Sequence, residues 1–469
     1  MPELTGRVLH AGDPGWDEAR RGYCARIDYD SHPPRVIVFC QDTQDVANAV
    51  RWARANRVLL RVRSGRHDYE GFSSLVRDGI IVDTSEVSGL WMDRATGLIT
   101  AGAGIDMLRL VEALWEMGVT VPTATGASVG LAGLVLGGGF GVTSRKFGLT
   151  CDNLINVQLV TAGGEIINAN ERDHSDLLWA CCGGGGGNFG VATAFTLKTH
   201  RVSLVAAFTV SWPWEQLEAV VKRWQTWANE VEDGVTSFLR LTVARRITLF
   251  GQFTAEERDL PRAAGLLQPM VAGTTPTEVT VQVAPFIGAA RLFFDVDPLR
   301  PLRPVKVFGE HEIYKSTSAI AYTPFDAAAI SALRQQLEAA PVPSVPPREP
   351  SMIQLLGGGG APSRIPLMAT AVAHRQARFV VQYNAFWTAP QDAQPTLDWV
   401  MGSREAMLPY TSGAYVNYTD ASIEDWPRAY YGANLERLVR VKRNYDPENV
   451  FNFAQSIPLT LDPEHQRPG

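Results

Sequence analysis

The chain has 469 residues, 45% hydrophobic, 20% charged and 9% aromatic, a globular composition long enough to bury a large core without metals or disulfides. Its 43 Lys and Arg against 49 Asp and Glu leave a formal charge of −6, which argues against nucleic acid or an anionic membrane as partner. Five cysteines without metal-ligand spacing, a polar N-terminus and no apolar run of about 18 residues predict a soluble, cytoplasmic chain with reduced thiols, a Cys24–Cys40 bridge being the alternative.

In the first 200 residues short strands alternate with amphipathic helices. Arg35–Cys40 reads as a strand and Thr43–Ala55 as a helix with Val46, Ala49, Val50 and Ala53 on one face. Val58–Val62, Gly79–Asp83 and Leu98–Ala101 are predicted strands, and Met107–Trp115 a helix. Asn156–Thr161, Glu165–Asn168 and Val191–Leu197 complete this half. After His200 longer alternating strands follow at Ala206–Ser211, Thr236–Val243, Thr248–Phe253, Phe308–Tyr314 and Phe379–Trp387. Helices are predicted near Glu215–Ala228, Phe325–Ala339 and Thr396–Met407. Strands with helices returning over one face predict a mixed domain on an antiparallel sheet. Pro341–Pro350, with five prolines, predicts a stiff surface crossing.

Three strings carry chemistry. Arg63-Ser64-Gly65-Arg66-His67-Asp68 leaves a predicted strand through a glycine turn, a geometry whose exposed N–H groups suit a diphosphate. A turn with a solvated histidine is the bland alternative. Gly126 to Gly141 has glycine at 126, 130, 133, 137, 138, 139 and 141, a density that lets backbone approach something flat or anionic. Its spacing is neither the dinucleotide fingerprint nor a phosphate-loop motif. Gly183 to Gly187 runs into Asn188-Phe189-Gly190-Val191, a turn that enters a strand.

Together with Gly357–Ile365, Ala373-His374-Arg375, Tyr415-Val416-Asn417-Tyr418 and Asp446–Pro458, these strings resemble the vanillyl-alcohol oxidase superfamily. The likeness is to its berberine bridge enzyme-like branch, which includes the 6-hydroxynicotine oxidase type, and it spans about Arg35 to Pro458. The resemblance implies an α+β, two-domain FAD-binding fold. Residues 1–200 and a return over 412–469 would form the FAD domain, and 201–411 a substrate domain built on an antiparallel sheet backed by helices.

The resemblance also implies that His67 is bonded to the 8α carbon of FAD. Arg63, Ser64, Gly65, Arg66 and Asp68 would surround the diphosphate. Gly126, Ser128, Val129, Gly130, Gly133, Gly137, Gly138, Gly141, Asn188, Gly190 and Val191 would line the cofactor, joined by Asn417, Asn452 and Gln455 from the C-terminus. Plant-type relatives carry a second, cysteinyl tether where this chain has Gly126, so one covalent bond is expected. Arg66 replaces a usual glycine and would add charge near the diphosphate. Leu131 and Ala132 occupy the stretch that controls oxygen access in relatives, which leaves a dehydrogenase as the alternative to an oxidase.

The implied reaction moves hydride from a small hydroxylated or amine-bearing molecule, such as a secondary metabolite, to flavin N5, with molecular oxygen as acceptor and peroxide as product. Tyr418 is the implied base and Tyr415 its partner. A tyrosine near its ordinary pKa of ~10 is a poor base at neutral pH, so the site is expected to lower that value. Gln354, Gln382 and Asn384 fall on predicted strands and are candidates for the substrate cleft. A flavin-retaining binding protein with little turnover is the reading from another class, and the presence of both tyrosines weighs against it. His374 is expected to be structural.

Overall fold

The computed structural model describes residues 3–296 and 312–461. Every residue of Val36–Phe39 and Ile80–Asp83 is buried, as unbroken apolar runs require of strands covered on both faces. These two strands pair in parallel, and Leu60–Arg63 joins Ile80–Asp83 in parallel. Arg7–His10 adds an antiparallel edge. The helix Thr43–Asn56 begins where the Asp42 carboxylate accepts the Asp45 N–H at 2.9 Å, and it buries the predicted Val46, Ala49, Val50 and Ala53. Because the strands are parallel, Arg63 and Asp83 end side by side, and the turn starting at Ser64 leaves from that edge.

The second sheet is antiparallel, in the order Leu90–Met92, Leu98–Gly102, Val191–Lys198, Leu154–Val160, Ile166–Asn170. The glycine string beside it is not loop throughout. Leu131–Gly137 is helical and buries Leu131, Ala132, Leu134, Val135 and Leu136. The run is apolar on every side, the pattern of a buried helix, and the glycine density hid it.

The third sheet has seven antiparallel strands: Glu278–Pro285, Leu204–Trp212, Ile247–Phe253, Val235–Thr242, Met352–Gly357, Phe379–Phe386 and Tyr314–Ala321. Of the predicted strand over Phe308–Tyr314, only its last three residues are described, and among them the strand begins at Tyr314. Its first residues lie outside the described ones, and the strand runs onward from Tyr314, buried throughout although rich in Ser and Thr. One face of the sheet packs Leu239, Leu355 and Val381 against the helices Leu217–Glu230, Ala327–Glu338 and Ala393–Met407. On the opposite face Phe238 and Leu356 meet Phe140, Val142 and Tyr418, so this face looks onto the glycine string.

Residues after Ser412 return to the first two sheets. The Ile457 N–H donates to Asn188 Oδ1 at 2.8 Å, and Lys442 pairs with Asp446 at 2.7 Å inside the core. No helix among the described residues is long and apolar enough to cross a membrane. Cys24, Cys40, Cys151, Cys181 and Cys182 are all free and buried, so the Cys24–Cys40 bridge is absent.

Candidate active site

A cavity of about 450 Å³ opens where the three sheets and the C-terminal return meet. Its walls include the turn Ser64–Asp68, Gly126, Val129, Gly130 and Gly133, the segment Gly185–Asn188 with Gly190, and Asn417, Tyr415 and Tyr418. Bare backbone shapes it. Gly65 and Gly130 approach so closely that a Cβ on Gly65 would lie 2.2 Å from the Gly130 nitrogen. At Gly133 the reason differs, because a methyl there would meet no protein atom within 4 Å. At Gly186 and Gly187 the nearest atoms are 3.9 and 3.8 Å away. These glycines keep side chains out of a space that protein does not fill, which is the cradle a flat, extended cofactor such as FAD requires.

His67 sits in that wall with its ring stacked on Tyr23, centroids 4.2 Å apart, and Nε2 2.8 Å from Ser128 Oγ. Burial lowers its pKa to about 4, so the imidazole is neutral. The turn around it is closed internally. Asp68 accepts the Glu70 and Ser73 N–H groups at 3.0 and 2.6 Å, and Ser64 Oγ donates to Ala103 O at 2.7 Å. Arg66 adopts φ 64°, the left-handed region that explains a usual glycine. Its guanidinium does not supply free charge at the cavity. It turns to Asp83 and to the Glu18 carbonyl, each at 3.4 Å.

Several expected cofactor ligands have other duties. Gly137, Gly138 and Gly141 stay outside the cavity wall and permit close packing instead. A Cβ on Gly137 would lie 2.0 Å from Asn417 Oδ1, and one on Gly141 would lie 1.7 Å from the Thr123 carbonyl. Val191 is sealed in the core, and Ser128 acts through His67. Arg63 lines the cavity while its guanidinium is spent on Asp83. Gln455 braces the Asp420 loop, with Nε2 on the Asp420 carbonyl at 2.8 Å and Oε1 accepting from Tyr430 at 3.2 Å. Asn452 also lines the cavity, and its carbonyl accepts from Arg61 Nη1.

Tyr415 and Tyr418 project into the cavity edge to face, 5.1 Å apart. The Tyr415 hydroxyl accepts from the Gly139 N–H at 2.8 Å and from Asn417 Nδ2 at 3.1 Å. Both donors favour its anion, yet burial outweighs them and raises its pKa above the ordinary tyrosine value. Burial also raises Tyr418 well above the ordinary tyrosine value, with the nearby Tyr69 and Tyr415 adding to it. The expected lowering is therefore not built into the protein alone, because among the described residues neither ring has a cation beside it.

Three rings escaped the sequence reading. Tyr69 stacks on Tyr418 at 6.1 Å and 13°, and meets Tyr314 edge-on at 5.4 Å. Tyr23 covers His67. Only Tyr69 carried a signal, its place two residues after His67; Tyr314 was set at the wrong end of its strand. Behind them Lys315 bridges Glu70 and Asp420, all three buried, tying together the loops that carry Tyr69 and Tyr418. From the roof sheet Gln382 and Asn384 line the cavity, whereas Gln354 does not and instead accepts from Arg240 Nε at 3.3 Å.

The profile of the FAD binding domain matches residues 34–170, and that of berberine and berberine-like proteins matches residues 414–458. The chain is 37% identical to the FAD-linked oxidoreductase YgaK of Bacillus subtilis over 97% of each chain. It is 28% identical to monolignol oxidoreductase AtBBE-like 13 of Arabidopsis thaliana, covering 89% of this chain and 82% of that one. Among solved structures, BBE-like 1 of Physcomitrella patens superimposes with a TM-score of 0.89 at 28% identity over 98% of both chains.

Proposed function

Since the chain belongs to the berberine bridge enzyme-like family of FAD-linked oxidoreductases, we propose that it is an oxidase carrying FAD on one bond to His67 and acting on a small hydroxylated or amine-bearing molecule. The state of His67 carries the reading. In the tautomer in which Nε2–H donates to Ser128 Oγ, the neutral imidazole keeps a lone pair on Nδ1, the nucleophile that a bond to the 8α carbon needs. No cysteine lines the cavity, which supports a single tether.

FAD, when bound, would supply a two-electron acceptor for the substrate's hydride, with oxygen as the terminal acceptor and hydrogen peroxide as product. The protein handles the proton. Tyr418, whose oxygen no hydrogen bond engages among the described residues, would receive it as the phenolate from the substrate's hydroxyl or amine. Tyr415 is anchored on Gly139 and Asn417 and holds Tyr418 edge-on, while Tyr69 fixes the other face. Gln382 and Asn384 offer amide groups from the roof to orient the polar end of the substrate.

The dehydrogenase alternative rested on the bulk of Leu131 and Ala132. Leu131 points into the core, and of the two only Ala132 reaches the cavity, which favours oxygen access. The test is direct. Protein denatured in acid and run on a denaturing gel should show a band fluorescent under ultraviolet light, and His67→Ala should darken it. A dark wild-type band with yellow supernatant would remove the tether. Peroxide released during turnover with oxygen as sole acceptor supports the oxidase; turnover only with a quinone or dye would make it a dehydrogenase.

A further inference from the structure

Behind the two roof amides stands one hydroxyl. The register pairs Ser316 with Asn384 and Ser318 with Gln382 on neighbouring strands. Gln382 and Asn384 line the cavity, while Ser316 is fully buried outside its wall. The Ser316 hydroxyl donates to Asn384 Oδ1 at 2.9 Å and accepts from Gln382 Nε2 at 3.4 Å. Burial raises the Tyr69 pKa and a hydrogen bond from Gln382 opposes it, which again makes the amide N–H of Gln382 the donor.

A serine hydroxyl has one hydrogen, so it serves one amide as donor and the other as acceptor. The two amides are thereby held in opposite senses. What remains for the cavity is Asn384 Nδ2–H, a donor, and Gln382 Oε1, an acceptor. Neither atom has a hydrogen-bond partner among the described residues, and neither is sealed off. Because both amides reach the same hydroxyl, donor and acceptor lie side by side. A ligand hydroxyl gives one hydrogen bond and takes another, so it satisfies both. An ether oxygen only accepts and leaves Gln382 Oε1 unmet. An ammonium only donates and sets its hydrogens against the Asn384 N–H. An unmet polar group in so enclosed a site is costly. Nor is the hydroxyl that fits here the reacting one, because that group gives its only proton to Tyr418 and has none for Gln382.

We infer that Ser316 is a positioning residue that locks Gln382 and Asn384 into an acceptor–donor pair, and that the substrate carries a second hydroxyl, distinct from the group oxidised, which this pair binds. This rests on the proposed function in taking Tyr418 as the acceptor of the reacting proton.

The test uses flavin-loaded protein and three probes of one skeleton, titrated by calorimetry and by the flavin absorbance. They are styrene glycol, its primary methyl ether, which keeps the acceptor alone, and protonated phenylethanolamine, which puts a donor alone in that place. A longer skeleton, 4-hydroxybenzyl alcohol against 4-methoxybenzyl alcohol, repeats the ether comparison. On one skeleton the dihydroxy probe should bind about tenfold tighter than its counterparts, the loss that one unmet hydrogen bond produces. Ser316→Ala frees both amides to turn, so this preference should collapse while the flavin spectrum stays that of the wild type. A merely structural serine would lower the melting temperature and leave the ratio as it was. Asn384→Asp replaces the donor by a second acceptor in nearly the same shape, and phenylethanolamine should then bind tighter than styrene glycol. That inversion tests the pair even if Ser316→Ala does not fold. Equal binding of the dihydroxy probes and their ethers, no binding of any probe, a preference unchanged in Ser316→Ala, or no gain for the amine in Asn384→Asp overturns the inference. These outcomes are read on protein already shown to hold flavin, so they are distinct from a dark gel band or absent peroxide, which would strike the oxidase reading instead.

Discussion

The Arg63 guanidinium meets the Asp83 carboxylate at 2.7 Å, and neither side chain reaches solvent. The two residues are register partners at the ends of parallel strands, directly before the turn that carries His67. Arg63 also donates to the Ala19 carbonyl at 2.7 Å and to Ser74 Oγ at 3.2 Å, so its guanidinium is tied on several sides. This pair sets the height and direction at which the turn carrying His67 leaves the sheet.

Removing one partner of such a pair leaves an uncompensated buried charge. Asp83→Asn should therefore cost about 3–5 kcal/mol in urea unfolding and lower the fraction of chains that retain flavin. An unfolding midpoint equal to wild type would show that the pair does not support the turn.

Burial raises the pKa of both Tyr415 and Tyr418, so the proposed base Tyr418 is ionised only above the ordinary tyrosine range. The rate at saturating substrate should climb with pH through the alkaline region without a plateau near neutrality. Tyr418→Phe should abolish that slope and lower the rate roughly 10²- to 10⁴-fold, whereas Tyr415→Phe should keep the slope with a smaller loss. A pH profile unchanged in Tyr418→Phe would move the base elsewhere.

Two glycines of the same string should respond oppositely to alanine. In Gly137→Ala the new methyl meets Asn417 Oδ1 at 2.0 Å, and overpacking of this kind costs about 1–3 kcal/mol. Gly133→Ala has no protein atom in its way and lies in a helix, so flavin-free protein should melt no lower than wild type. Its methyl intrudes on the cofactor space, and flavin content should fall. Normal flavin loading in Gly133→Ala would mean that the cradle is not used.

His200 is partly buried, stacked on Phe147 at 4.1 Å, with Nε2 2.7 Å from Asn153 Oδ1. Burial, aided by Lys146 and Lys198, lowers its pKa from 6.5 to about 4. The unfolded chain thus takes up the proton first as pH falls. The stability this imidazole contributes is complete above about pH 6.5 and lost progressively toward pH 4, where His67 acts in the same sense. Melting temperature should drop across that window, and His200→Gln should flatten part of the drop. An equally steep drop in the variant would assign the acid sensitivity to other groups.

With every cysteine free and buried, a thiol reagent should label none in the folded protein and five after denaturation. Rapid labelling of any one before unfolding would contradict the packing described here.

Much of this was legible in the chain. The buried runs at Val36–Phe39 and Ile80–Asp83 and the face of Thr43–Asn56 follow from local pattern, because periodicity records which side of an element is covered. The glycine strings and His67 announced a cofactor, since backbone that must lie bare can be written only with glycine. Local pattern failed where burial came from elsewhere. Tyr314–Ala321 reads as a polar segment, yet it is sealed by the Asp420 loop and its neighbouring strand. Leu131–Gly137 went without a predicted helix because the glycines outweighed an apolar run. The tertiary structure alone decided which glycines face the cavity and which pack on Asn417, that Arg66 is spent on Asp83, and that Tyr69 covers Tyr418. It also decided that Ser316 stands behind Gln382 and Asn384, because that alignment depends on the register of strands far apart in the chain, which no window of sequence contains.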